Sequence, residues 1–409
     1  TYYVDTNHPS ASDSNPGTEV LPWKTIQKPA NMLVAGDTVY IKQGTYTATT
    51  PTIQLKNSGT ASGSITYSAY PGHENKAILN GAGIEMIGKS YIKVSGLRIQ
   101  NALKANGFHV VGPGSQFTIS GNDTYNTLGS GIGVYGNSDF SKPSDSVLTD
   151  IILENNKIEK ANEGGYAENI TIANGVDRFE VRGNELFNPA DNENLGGEGI
   201  DVKSGVQNGK IHHNIITGPT RDRTAIYVDA FDRYVKNVEV FNNIVYDTNT
   251  AGIIVAFERP GGVVDNIKIY NNVLYGNGLG GVAVHDFGYT NGTINNISVM
   301  NNTIYGNGHK VGHHARGIWV NTQIATNMVI RNNIVYKNED TFYLNNPGIV
   351  VDHNLTTDPQ FINEAAKDFH LKSTSPAVNT GSSVSAPTTD YDGVSRPQGS
   401  AFDIGAYEF

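Results

Sequence analysis

Short runs of alternating apolar and polar residues recur along the middle of the chain, and each run ends in an asparagine. The spacings between successive asparagines are 28, 30, 29, 29, 30 and 31 residues. This near-constant period predicts a solenoid, because so small a coil buries its apolar face only against neighbouring coils. The asparagines that define the period are Asn156, Asn184, Asn214, Asn243, Asn272, Asn302 and Asn333.

Each period contains three short alternating runs, for example residues 238–241, 244–246 and 253–255, separated by Gly, Asn and Asp. Alternation with a period of two, with no helical pattern of similar length in between, is typical of β-strands. Three strands per repeat predict an all-β fold, a single-stranded right-handed parallel β-helix with terminal caps. An asparagine at one corner of every coil also predicts an amide ladder along the solenoid.

The two ends of the chain break the repeat, as terminal coils of a solenoid do. Residues 23–33 predict a short helix over the first coil, and residues 375–409 are rich in Ser, Thr, Pro and Asp. We therefore expect one domain over residues 1–409. The N-terminal cap and first coil would span 1–45, the coils 46–360 and the C-terminal cap 361–409.

Composition narrows the possible partners. The 409 residues include no cysteine, which excludes disulfides and thiolate metal sites, and the net charge is 29 − 39 = −10. This acidic balance argues against binding to nucleic acid. No apolar run approaches the ~20 residues that a membrane span needs. The given sequence opens on a strand-like run, so we expect either a cytosolic chain or the mature part of an exported one, and we favour a secreted or cell-surface monomer.

The third run of each coil has a register that places two columns of side chains on the outside. Charged and aromatic residues cluster in these columns at the coils of Asp201 and Tyr227. By strand spacing, Lys203 and Asp229 would be about 5 Å apart, and Asp201 and Asp229 roughly 8 Å. The first column contains Thr171, Asp201, Tyr227, Ile254, Ala283 and Trp319, and the second contains Ala173, Lys203, Asp229, Ala256, His285 and Asn321.

Both ends resemble known β-helix proteins. Residues 2–5 (YYVD), 22–27 (PWKTIQ), 35–40 (AGDTVY) and 44–46 (GTY) are similar to the first coil of secreted β-helix polysaccharide lyases. Residues 403–408 (DIGAYE) resemble the cap of bacterial surface β-helices. The resemblance implies a pectate-lyase-like β-helix solenoid and a polysaccharide or oligosaccharide substrate, but it does not define the reaction.

Residues 198–204 (EGIDVKS) resemble the motif of the chondroitinase B and alginate lyase family. This resemblance implies that Lys203 is the catalytic base and Glu198 a calcium ligand. Asp201 and Asp229 are further candidate calcium ligands, more like the aspartate cluster of the pectate lyase family. The match is incomplete, since Asp229 stands where that first family has an arginine. Loop residues Arg221 and Arg223 would replace it only if their loop folds back.

The first hypothesis is a polysaccharide lyase that cleaves a uronic-acid glycan by β-elimination. This reaction needs a base for the proton beside the sugar carboxylate and a cation that neutralises the carboxylate. Neighbouring carboxylates favour the charged form of Lys203, whereas a base must be neutral, and a bound calcium ion would reverse this effect. The alternative for Lys203 is a structural ion pair with Asp229.

Two alternatives use the same outer face. A glycoside hydrolase would need a carboxyl pair, either Asp201 with Asp229 or Asp229 with Glu258. A glycan-binding adhesin would have the groove without the chemistry. An insertion before Trp319 could bind a substrate carboxylate or be a solvated loop, and it includes His309, His313, His314 and Arg316. The substrate-binding candidates under the enzymatic hypotheses are Tyr227, Trp319, His285, Arg221 and Arg223.

Overall fold

The computed structural model describes residues 1–165, 167–187, 197–218, 224–308 and 316–409. Within these residues the chain forms 38 strands and one short helix, Gln27–Met32. The fold is an all-β, right-handed parallel β-solenoid of about ten turns, which confirms the predicted fold class. The chain separates into two compact units, Thr1–Asp201 and Val202–Phe409. The expected single domain and its cap boundaries stay a prediction.

The first unit contains three parallel sheets, because each coil contributes one strand to each sheet. The first sheet contains Tyr2–Val4, Thr38–Ile41, Ile65–Ala69, Ile92–Ser95, Gly114–Ser120, Leu148–Glu154 and Val176–Arg182. The second contains Gly44–Thr47, Ala77–Asn80, Leu97–Ala102, Asp123–Thr127, Lys157–Glu159 and Glu185–Phe187. The third contains Thr52–Gln54, Gly83–Ile87, Phe108–Val111, Ile132–Tyr135 and Ile170–Ala173. The division between the units falls inside the third-sheet strand Ile200–Lys203.

The second unit repeats the same pattern of three strands per coil. Its first-sheet strands are Val206–His212, Tyr234–Phe241, Val263–Tyr270, Thr293–Met300, Ala325–Thr326, Val329–Arg331 and Val350–Asp352. Its second-sheet strands are Ile215–Thr217, Ile244–Tyr246, Val273–Tyr275, Thr303–Tyr305 and Ile334–Tyr336. Its third-sheet strands are Ile226–Asp229, Ala251–Ala256, Gly280–His285, Arg316–Asn321 and Asp340–Leu344. An antiparallel pair, Phe361–Asn363 and Asp368–Leu371, follows the coils.

The predicted alternation in the third sheet is confirmed in both units. Ile170 and Ile172 in the first unit, and Ile226 and Val228 in the second, are fully buried in the solenoid core. Between these positions the outward residues align from coil to coil. The first column pairs Tyr227, Ile254, Ala283 and Trp319, and the second pairs Asp229, Ala256, His285 and Asn321.

The predicted amide ladder also forms, and it is longer than the repeat suggested. In the first unit the side-chain amide of Asn122 donates to Asn156 (3.2 Å), and that of Asn156 donates to Asn184 (3.0 Å). In the second unit the ladder begins at Asn214 and reaches Asn354 through one asparagine in each coil. Each buried amide satisfies the next, so the ladder is structural.

The two ends of the chain have different structures. The predicted helix is shorter than residues 23–33 and buries Pro29 and Ala30. Near the C-terminus, the guanidinium of Arg396 donates to the carboxylate of Glu408 at 2.7 Å, and both side chains are fully buried. No helix in the described part of the chain is long and apolar enough to cross a membrane.

Candidate functional site

Three buried carboxylates meet at the outer face of the third sheet in the first unit. One carboxylate oxygen from each of Glu168, Glu198 and Asp201 lies within 4.8 Å of the other two. The residues are only 3%, 8% and 2% exposed, respectively. Glu198 and Asp201 are two of the three metal ligands that the sequence predicted. Glu168 is a new member, and Asp229 does not belong to the cluster.

The stacking of coils explains why these carboxylates meet. Glu168 and Glu198 precede equivalent strands in successive coils, since 198 − 168 = 30 residues matches the repeat. The backbone N–H groups of Asn169 and Ile170 donate to the carbonyls of Glu198 and Gly199, both at 2.9 Å. This pairing brings the two glutamates into register. Asp201 then follows one residue inside its strand, at an outward position.

Hydroxyl groups hold the first of these glutamates in place. The Oγ1 hydroxyl of Thr171 donates to the carboxylate of Glu168, three residues earlier. The Oγ of Ser130, on the preceding coil, lies 2.7 Å from the same Thr171 oxygen. The side chain of Glu168 is therefore positioned by a buried chain of polar groups rather than by solvent.

The donor chemistry of this cluster fits a divalent cation. Three ionised carboxylates this close together repel one another, and burial increases the cost. Calcium binds carboxylate oxygens at about 2.3–2.6 Å, so oxygens bound to one ion lie within about 5 Å of each other. The observed limit of 4.8 Å agrees with this geometry. An all-oxygen donor set also suits a hard cation such as calcium better than a soft metal.

A surface cavity of about 460 Å³ opens on the same face of the first unit. Ala167, the residue before Glu168, is part of its wall. The ring of His109 lies edge-on to that of Tyr135 at 5.6 Å, and its Nδ1 is 3.8 Å from the carboxylate of Glu85. Burial lowers the pKa of His109, although Glu85 opposes the shift. The polar and aromatic residues that line the cavity include Glu85, Lys104, Asn106, His109 and Tyr135.

Lys203 lies two residues after Asp201 on the strand Ile200–Lys203 and is partly exposed. Alternation along a strand directs side chains two residues apart to the same face. The backbone N–H of Ser204 donates to the carbonyl of Asp229 at 3.1 Å, and its hydroxyl donates to Asp232 at 3.2 Å. The predicted role of Lys203 as a base stays a prediction.

The predicted residues of the strand Ile226–Asp229 are more enclosed than an open groove would suggest. Asp229 is 2% exposed, and one of its carboxylate oxygens accepts the N–H of Phe231 at 2.5 Å. Tyr227 is 7% exposed, and its hydroxyl donates to the carboxylate of Glu258 at 2.7 Å. Tyr227 therefore faces outward as the register requires, but surrounding residues cover it.

The structure brings Trp319 and His285 together in the second unit. Their rings meet edge to face with 5.5 Å between centroids. The guanidinium of Arg316 lies 5.4 Å from the Trp319 ring and 4.3 Å from the ring of Tyr343. Other candidates lie outside the described residues, namely Arg221, Arg223, His309, His313 and His314.

The sequence analysis missed Glu168, although a signal for it was present. The asparagine ladder fixes the coil period, and counting one period back from Glu198 leads to Glu168. Comparing the residues just before each third strand, rather than only the strands themselves, would have paired these two acids.

Two family models match parts of the chain. Residues 2–192 match a Pel9A-like right-handed beta helix region, and residues 316–391 match a Disaggregatase-related model. The uncharacterized protein YwoF of Bacillus subtilis (strain 168) is 28% identical over 283 residues, which cover 62% of this chain. The matched region spans 58% of that relative's length.

Solved structures with a similar fold include three with TM-scores above 0.5. Pectate lyase Pel9A has a TM-score of 0.57 and 17% identity, with 100% of this chain and 96% of that chain covered. XylC in complex with xylose has a TM-score of 0.64 and 14% identity, with 99% and 98% covered. A rhamnogalacturonan lyase has a TM-score of 0.51 and 16% identity, with 88% and 90% covered.

At these identities the likeness to solved structures concerns the fold. The resemblance to β-helix polysaccharide lyases that the residues at the two ends predicted is therefore confirmed for the fold. The chain is a right-handed parallel β-solenoid protein that resembles the β-helix polysaccharide lyases, with a Pel9A-like region over residues 2–192.

Proposed function

We propose that this chain is a carbohydrate-active enzyme, a polysaccharide lyase that cleaves a uronic-acid glycan by β-elimination. The observation that carries the proposal is the buried cluster of Glu168, Glu198 and Asp201 beside a surface cavity. The three acids offer carboxylate oxygens at the spacing that one calcium ion requires. The fold shared with solved pectate and rhamnogalacturonan lyases supports the same class of substrate.

The three carboxylates would hold a calcium ion. When bound, the ion supplies positive charge that neutralises the uronate carboxylate and acidifies the adjacent C–H group. Glu168 replaces Asp229 in the ligand set that the sequence suggested. Thr171 keeps the Glu168 carboxylate oriented through its hydroxyl, so the set is pre-organised before a ligand binds.

Lys203 is the proposed base. Its amine takes the proton from the carbon beside the sugar carboxylate, and the electrons of that C–H bond form a carbon–carbon double bond. The glycosidic carbon–oxygen bond breaks, and the departing oxygen leaves with its electron pair and gains a proton from solvent. The resemblance of residues 198–204 (EGIDVKS) to the motif of the chondroitinase B and alginate lyase family supports this role.

The cavity of about 460 Å³ supports the binding of part of a sugar chain. Its volume lies within the range of about 300–1,000 Å³ that is typical of ligand sites. Tyr135 and His109 offer aromatic surface, while Lys104 and Asn106 offer donors for hydroxyl and carboxylate groups.

An inverting hydrolase is disfavoured at the acidic cluster on geometric grounds. Inverting glycosidases need carboxyl groups ~6.5–9.5 Å apart to admit a water molecule. The carboxylate oxygens of Glu168, Glu198 and Asp201 lie within 4.8 Å, which is too close for that water. Of the proposed pair Asp229 and Glu258, the second carboxylate accepts the hydroxyl of Tyr227.

Ultraviolet absorbance of the product tests this proposal. The protein would be incubated with alginate, pectate, rhamnogalacturonan, chondroitin and neutral glycans, with and without chelator. We expect a rise in absorbance from an unsaturated uronate on at least one acidic glycan, and chelator should abolish it. Lys203→Ala should lower the rate by about 10²–10⁴-fold, since it removes the base.

Glu198→Gln should also remove this activity, whereas Glu185→Gln should not. Glu185 is a matched control because it is an exposed glutamate on the second sheet of the same unit. New reducing ends without ultraviolet absorbance would contradict elimination and favour a hydrolase. Binding of a glycan without either product would favour the adhesin.

A further inference from the structure

A group of aromatic rings surrounds one arginine on the third sheet of the second unit. We call this group the aromatic patch and define it by Arg316, Trp319, Tyr343, His285 and Phe287. Trp319 pairs in register with Ala283 on one side and with Tyr343 on the other. Phe287 is 48% exposed and Tyr343 is 38% exposed, so solvent reaches the patch.

The aromatic rings orient Arg316. Its guanidinium lies 4.3 Å from the ring of Tyr343 and 5.4 Å from that of Trp319. Stacking between rings restricts the guanidinium, and the planar group presents its donors along its edge. Arg316 pairs in the strand register with Asp340, which is an exposed carboxylate. Selectivity at the patch therefore depends on the ring contacts as well as on charge.

Trp319 offers a donor that the described residues leave without an acceptor. Its indole N–H is buried and meets no hydrogen-bond acceptor within the described ranges of the chain. Buried donors of this kind are uncommon in folded proteins, because an unsatisfied donor loses its hydrogen bonds to water without a replacement. An acceptor supplied by a ligand would provide that replacement.

His285 is held as a neutral ring at the edge of the patch. Its Nδ1 accepts the N–H of Phe287 at 2.6 Å, and its Nε2 lies 3.0 Å from the side-chain amide of Asn321. Burial lowers the pKa of His285, which favours the neutral form. The rings of His285 and Phe287 stack, with 4.4 Å between their centroids and 30° between their planes.

We propose that the aromatic patch binds a uronate residue of an acidic oligosaccharide. Arg316 binds the carboxylate, and the faces of the aromatic rings pack against the apolar face of the sugar. The choice of a uronate rests on the proposed function, whereas the existence of the site rests on the arginine, the rings and the unused indole donor. The patch is a binding site, and no chemical step is assigned to it.

Tryptophan fluorescence tests the proposal separately from catalysis. The chain has two tryptophans, and Trp23 is 3% exposed in the first unit, so Trp319 reports on the patch. Lys203→Ala protein would be titrated with tri-uronates from pectate and alginate and with xylotriose. We expect a saturable change in fluorescence with a tri-uronate, at least 10-fold weaker binding of xylotriose, and no change in Trp319→Phe protein.

Charge variants sharpen the test. Arg316→Gln should weaken tri-uronate binding at least 10-fold, and Arg316→Lys should restore part of it. Arg259→Gln is a matched control, because Arg259 also stacks on a ring, that of Phe231 at 4.4 Å. Equal binding of xylotriose, unchanged affinity in Arg316→Gln, or no fluorescence change would overturn the proposal. Binding of a tri-uronate together with absence of lyase activity in the wild-type protein would overturn the proposed function and leave this site standing.

Discussion

Two columns of polar side chains are buried in neighbouring coils of the first unit, and they have opposite chemistry. The asparagine column of Asn122, Asn156 and Asn184 is self-complementary, since every amide both donates and accepts. The acidic column stacks Glu168 on Glu198, with Asp201 beside them. Ionised carboxylates only accept hydrogen bonds, so stacking them adds repulsion instead of satisfying it.

The two columns show how a residue repeated for stability differs from a residue repeated for function. A solenoid gains stability by repeating a residue in each coil only when the side chains satisfy one another, as the amides do. A repeated acid has no such structural benefit. Glu168 and Glu198 recur in two successive coils, and with Asp201 they form the donor set that we propose binds calcium.

The largest effect should come from placing a carboxylate in the amide column. Asn156→Asp removes the donor to Asn184 (3.0 Å) and to the carbonyl of Ile119 (2.9 Å) and buries a charge among acceptors. We expect a loss of about 3 kcal/mol or more in the free energy of unfolding, measured by urea denaturation. Asn237→Asp is the control, because Asn237 belongs to an exposed ladder with Asn208 and Asn266. A similar loss in both variants would contradict the account.

Neutralising one acid of the acidic column should have a smaller effect on the free energy of unfolding, and of the opposite sign. Without metal, Glu198→Gln removes repulsion with Glu168 and Asp201, so the free energy of unfolding should rise by about 1 kcal/mol. In excess calcium the order should reverse, because only the wild-type protein gains binding energy. Urea denaturation in chelator and in calcium measures both. A variant that is less stable than wild type in chelator would refute the repulsion between the acids.

The smallest effect is expected where a histidine of the chain lies between two carboxylates. His370 bridges Asp368 (Nδ1, 2.6 Å) and Asp392 (Nε2, 2.8 Å). Burial opposes protonation of His370, but the hydrogen bonds to Asp392 and Asp368 outweigh it and raise its pKa. A raised pKa stabilises the fold below the unfolded value of about 6.5, and the contribution is lost as pH rises through the folded value.

His370→Gln should therefore destabilise the protein by less than about 1 kcal/mol at acidic pH, because the ring is partly exposed. The difference from wild type should vanish at alkaline pH, where both side chains are neutral. Thermal unfolding of the two proteins across this range measures it. A difference that grows with pH would show that the bridge is not ionic.

Periodicity explains how much of the structure the sequence predicted. The fold and the third-sheet register were predictable because every coil repeats the same alternation and the same corner asparagine, which reinforces a weak local signal. Alternation along a strand predicts which way a side chain points, but it does not predict how exposed that side chain is. Tyr227 points outward as expected and is nevertheless covered, with its hydroxyl on Glu258.

The site was only partly predictable because its members lie at the edges of the repeat. Glu198 and Asp201 stood out through their spacing to Lys203, whereas Glu168 precedes its strand in a segment without a matching motif. The contact of Arg316 with Tyr343 depends on a strand pairing near the end of the coils, where the spacing is irregular. Contacts between side chains of neighbouring coils can be predicted only once the register of the strands is known.

Calcium binding, measured by isothermal titration calorimetry, is the most direct test of the central claim that the acidic column is a metal site. The account predicts one calcium ion per chain in the wild-type protein and in Glu185→Gln. It predicts at least 10-fold weaker binding in Glu198→Gln and Asp201→Asn. Absence of binding in the wild-type protein, or equal binding in all four proteins, would contradict it.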